Sequence, residues 1–99
     1  MPVELETKTF RQEDFAVDLH LPDGKPYVEA RTYDDIRTAL QEGLAVYVES
    51  SEGRAFFWKE NGNYAADVFF LSPAKKVTFD TLEDAAEAAL ELVEPMATD

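Results

Sequence analysis

His20 is the single histidine of the chain, and Asp18 stands two residues before it. On an extended backbone an Asp-x-His pair places both side chains on one face, and two metal ligands or an acid-base pair are what such a pair can offer. A metal needs a third and fourth ligand, and no recognisable spacing provides them. No metal and no cofactor is expected, and the pair reads as solvated.

The remaining groups with chemical potential are carboxylates. Asp34/Asp35 and Glu83/Asp84 are adjacent acids of the kind that can divide general acid and base work. Both pairs fall three residues or fewer behind a threonine, in Thr32-Tyr33-Asp34-Asp35 and Thr81-Leu82-Glu83-Asp84. A threonine hydroxyl accepts an early helical N–H, and acids in the first turn meet the positive end of the helix dipole. Capping therefore accounts for them. No Gly-x-Ser-x-Gly, phosphate loop, dinucleotide fingerprint or calcium loop is present, and with no cysteine there is no thiolate nucleophile. The chain is expected not to be an enzyme.

A further acidic row has no such explanation. Glu83, Glu87 and Glu91 recur every fourth residue, flanked by Asp84 and Glu94, and no lysine interrupts them. On a helix they form a line of like charge, which is slightly destabilising in itself. The whole chain leans the same way. Of its 99 residues 21 are acidic and nine basic, for a formal net charge of -12. Such a field repels nucleic acid and anionic membranes and draws basic partners. No apolar run approaches a membrane span and no signal-peptide core is visible, so a cytoplasmic location is expected.

The elements that must position these groups can be read from periodicity. Residues 15–21 alternate cleanly, with Phe15, Val17, Leu19 and Leu21 on one side and Ala16, Asp18 and His20 on the other, which predicts a half-buried strand. An edge strand is expected before it at 3–9, and another at 27–31. Thr32 then caps a helix with Ile36, Ala39 and Leu40 as its apolar stripe, ended by Gly43. Strands follow at 44–49 and 54–60. The register of 44–49 stays open, because the length of the loop after it decides which face each side chain takes. Asn61-Gly62 predicts a two-residue hairpin that sets Phe56 opposite Asp67, Trp58 opposite Ala65 and Glu60 opposite Asn63. Strands at 64–72 and 75–79 lead to a second capped helix, with Leu82, Ala85, Ala86, Ala89, Leu90 and Val93 inward and Pro95 as its stop.

A shift of 49 residues lays the stretch from Phe15 over the stretch from Tyr64, with Ala16/Ala65, Asp18/Asp67, Val28/Val77, Thr32/Thr81 and Asp35/Asp84 identical. The expected fold is an α+β two-layer sandwich: a mainly antiparallel sheet, two helices on one face, and a possible internal ββα repeat over about 3–43 and 54–94 within a single domain. In that register Tyr64, Ala66, Val68, Phe70, Ala55 and Phe57 face the helices. Phe56, Trp58, Phe69 and Leu71 are left on an outer face, an uncovered aromatic surface able to bind a partner or a second copy.

Two functions fit. The first is a non-enzymatic inhibitor whose acids Glu83, Asp84, Glu87, Glu91, Glu94, Asp34 and Asp35 engage a basic, nucleic-acid-binding protein, the kind of role filled by phage anti-CRISPR and anti-restriction proteins or nuclease immunity proteins. The second is a homodimeric structural or regulatory module that pairs through the aromatic face, with acidity serving solubility.

Overall fold

The computed structural model describes residues 6–50, 53–69 and 74–97, with 50 and 92–97 described by backbone alone. Six strands form one sheet in the order of the chain: β1 (Lys8–Thr9), β2 (Pro26–Glu29), β3 (Ala45–Ser50), β4 (Gly53–Glu60), β5 (Asn63–Phe69) and β6 (Lys75–Phe79). Helix α1 (Tyr33–Gln41) connects β2 to β3, and α2 (Leu82–Ala97) follows β6. All neighbouring strands are antiparallel except β2 and β3, which run parallel because α1 carries the chain back between them.

Both helices cover the same face. Val46 and Val48 of β3, Ala55 and Phe57 of β4 and Ala66 of β5 pack there against Ile36, Ala39 and Leu40 of α1 and Ala85, Ala86 and Ala89 of α2. Among the described side chains of α2 the buried ones are all alanine, which keeps its backbone close to the sheet. Thr32 and Thr81 cap the two helices as their spacing predicts, accepting from the N–H groups of Asp35 and Asp84 at 3.1 Å each. Gly43, at φ 85°, ends α1 in the left-handed conformation that a Cβ would disfavour.

The hairpin of β4 and β5 has the expected register, with Phe56 opposite Asp67, Trp58 opposite Ala65 and Glu60 opposite Asn63. Asn61 and Gly62 both take positive φ, 52° and 86°, as a type I′ turn requires. The open register of β3 is settled by Ser50 pairing with Gly53. Val46 and Val48 therefore face the helices, and Ala45 and Tyr47 face the other side.

Residues 15–21 depart from expectation. They are not a strand of the sheet, and their apolar side does not face the helices. After a 3-10 turn at Gln12–Asp14, they run as an extended strap across the opposite face. Leu21 is buried there, with Phe15, Val17 and Leu19 partly buried, while Ala16, Asp18 and His20 stay exposed. Any extended segment lying on an apolar surface shows a period of two, so the pattern cannot tell a strap from a strand. What distinguishes them is the source of backbone hydrogen bonds. Gln12 donates from Nε2 to the Val17 carbonyl at 2.7 Å and accepts from the Leu19 N–H at 2.9 Å, and Asp67 accepts from the N–H groups of His20 and Leu21. Two side chains replace a partner strand.

The aromatic face is accordingly covered, and the expectation of an open surface is overturned. Phe56, Trp58 and Phe69 are buried, at 0%, 2% and 4% exposure, beneath Phe10, Phe15 and Leu21. Phe56 sits at the centre, with the rings of Phe10, Phe15, Tyr27 and Tyr47 all 5.0–5.4 Å from its own. Burying a side chain of that size stabilises by about 1.5–3 kcal/mol, which is what holds a strap lacking sheet bonds. Leu71 lies outside the described residues.

The fold does not show the repeat as a whole: at a shift of 49 residues β2, the Thr32 cap and α1 fall on β6, the Thr81 cap and α2, but the preceding segments differ. Its first copy contributes the strap where its second contributes β5, on opposite sides of the outer core. Pro95 does not stop α2, whose backbone remains helical to Ala97. A proline this near the end removes one helical hydrogen bond, and few further turns follow for it to disrupt.

Candidate functional site

The acidic residues of α2 do not act as one row. Three and seven residues separate Asp84 from Glu87 and Glu91, which puts these three on one side of the helix. Together with Asp80, just ahead of the Thr81 cap, they line a shallow groove of about 510 Å³ whose other walls are Thr78, Phe79 and Ala88. Among the described residues no basic side chain lines it. Asp84, Glu87 and Glu91 are exposed, held in place by the burial of Ala85, Ala86 and Ala89 on the reverse of the helix.

Glu83 turns the other way. Its carboxylate lies 3.6 Å from Arg37 Nη2 on α1, and the Arg37 guanidinium stands 5.7 Å above the Tyr33 ring. The Arg37 Nε is buried without a hydrogen-bond partner among the described residues. Glu83 is thus half of a bridge between the helices, while its exposure limits the energy of that bridge to about 1 kcal/mol at most.

Asp34 and Asp35 sit in the first turn of α1 and do not line the groove. The side chain of Glu94 lies outside the described residues. Asp80 escaped the sequence reading because it precedes the helix, although its spacing of four, seven and eleven residues to Asp84, Glu87 and Glu91 carried the signal.

The second arrangement with chemical character involves His20, with Asp67 rather than Asp18 as its partner. Asp67 is fully buried on β5, and His20 Nδ1 lies 2.8 Å from its Oδ1 while the other carboxylate oxygen accepts from the His20 and Leu21 backbone. A buried carboxylate that orients an imidazole is half of a general-base device. The other half is a nucleophile, and among the described residues no hydroxyl bonds to His20. The arrangement is accounted for by what it holds, which is the strap on the sheet.

Among the described residues no group of three or more His, Asp or Glu side chains is arranged to hold a metal ion, and no helix is long and apolar enough to cross a membrane. Compared with family models, curated proteins and solved structures, the chain shows no match.

Proposed function

We propose that the chain is a non-enzymatic protein-binding module that occupies the basic, nucleic-acid-binding surface of a partner protein. The observation that carries this reading is the groove lined by Asp80, Asp84, Glu87 and Glu91 with no cationic side chain in its lining among the described residues. Along α2 the last three follow one another at rises of about 4.5 and 6 Å, a line of negative charge on the length scale of phosphates along a nucleic-acid strand. A net charge of -12 adds long-range attraction for a basic partner and speeds encounter. An inhibitor of a nuclease or of another nucleic-acid-binding assembly, acting by substrate mimicry, uses these properties.

The test is binding to a panel of basic nucleic-acid-binding proteins, measured at several salt concentrations. Tight binding is expected to weaken steeply with salt and to fall at least tenfold when Asp84→Asn, Glu87→Gln and Glu91→Gln are combined. Binding unaffected by both salt and the triple substitution would remove the electrostatic mechanism.

A further inference from the structure

β6 ends the sheet and is hydrogen-bonded only to β5 among the described residues. A strand bonded on one side directs about half of its backbone N–H and C=O groups away from the sheet, where they can template another strand. The acidic groove meets β6 at its C-terminal end, where Thr78 and Phe79 line it. Thr78 and Phe79 are consecutive and point to opposite faces of the sheet, so a groove that touches both runs past the strand's edge, and no β5 residue lines it.

We propose that this edge is the docking site for an extended basic segment of the partner, which adds to β6 as a further strand and sets lysine or arginine side chains against Asp84, Glu87 and Glu91. The proposal rests on the reading of the acidic side as a partner-binding surface and specifies how the partner is held. One of the two intervals matches: side chains on one face of a strand repeat about every 6.8 Å, near the rise of about 6 Å from Glu87 to Glu91, whereas Asp84 to Glu87 rises about 4.5 Å. Charge selects the occupant. A second copy of this chain would bring another row of carboxylates and another net charge of -12 to the same groove, whereas a basic segment neutralises it. Lys76 is already engaged with Glu60 at 3.2 Å, and Lys75 is exposed at the start of β6, so cationic side chains are placed toward the Asp80 end.

The experiment uses the full chain and the peptide Lys-Val-Lys-Val-Lys-Val-Lys, together with two derivatives N-methylated at every valine or at every lysine. All three keep the charge. Each derivative loses the backbone donors of one strand edge, so one of the two is expected to bind at least tenfold more weakly than the parent. Amide exchange within β6 is expected to slow on adding the parent, and the triple variant Asp84→Asn, Glu87→Gln, Glu91→Gln to bind it at least tenfold more weakly. If both derivatives bind like the parent while the triple variant is impaired, strand addition is wrong and the acidic surface stands. Failure of the parent to bind, or β6 exchange unchanged on binding, likewise overturns the proposal, and salt-dependent binding of the basic protein panel then decides separately whether the acidic surface survives. A dimer in sedimentation that protects β6 without peptide overturns it in favour of a second copy.

Discussion

Asp67 is a carboxylate buried between a strand and a strap, where desolvation works against it and three donors work for it. Two of those donors are backbone N–H groups that no substitution of a neighbouring side chain can remove. Asp67→Ala is therefore expected to destabilise by about 2–4 kcal/mol in urea unfolding, since it strands both, whereas His20→Ala removes one bond at a half-exposed ring and is expected to cost about 1 kcal/mol. A second readout identifies the strap: Trp58, the sole tryptophan, is 2% exposed beside the strap-covered core and should become open to acrylamide quenching in Asp67→Ala under native conditions. Tyr47 offers a pH-dependent test. Burial pushes its hydroxyl above the ordinary value of 10.0, although Arg54 opposes this, and the hydroxyl donates to Glu49 Oε1 at 3.2 Å. A phenol whose folded value is raised contributes stability that is complete below pH 10 and is lost as pH rises through the folded value. Tyr47→Phe is expected to flatten the alkaline limb of stability against pH and leave the neutral region little changed. None of these roles was visible in the sequence, where Asp67 stood out for aligning with Asp18 and for facing Phe56 across the hairpin, and Tyr47 could not be assigned a face.

Elements were legible wherever a local rule is strict. The Asn61-Gly62 turn fixes seven pairings between β4 and β5, because only residues tolerant of positive φ close a two-residue hairpin with the twist of its strands. Nothing crowds Gly62, so Gly62→Ala tests conformation without a clash and is expected to destabilise by about 1 kcal/mol, read from the urea midpoint. Thr32 and Thr81 were legible for the same reason, as a cap needs one hydroxyl at one spacing. Residues 15–21 were not, because alternation reports an apolar surface on one side and says nothing about whether that surface is a neighbouring strand or the flat of a sheet. The acidic row of α2 lies between these cases: its helix was evident, but which acid faces α1 and which the groove depends on where Arg37 comes to rest.

At the scale of the molecule, the excess of acid is a repulsion spread over the whole surface, concentrated along α2, where no basic residue occurs. Salt screens such repulsion over about 10 Å at 0.1 M. Stability is accordingly expected to rise as sodium chloride increases from a few millimolar toward physiological strength, measured by thermal melting, while affinity for any basic partner falls. A chain whose melting temperature drops over that range would have its ion pairs, such as Lys8–Glu29 and Lys76–Glu60, outweighing its repulsion. The sequence by itself determined the α+β class, both helices with their caps, and the central hairpin with its register, because each follows from contacts between residues close in the chain or from a period that has one geometric reading. Only the tertiary structure decided that the outer aromatic face is closed by residues 10–21, that Asp67 holds that closure, and that Asp80 joins three carboxylates of α2 in a groove beside β6, the last strand of the sheet among the described residues. Those outcomes join residues from separate elements, such as Asp67 to His20 47 positions earlier, and the energy that selects them is the burial of the aromatic cluster around Phe56, which no single segment contains.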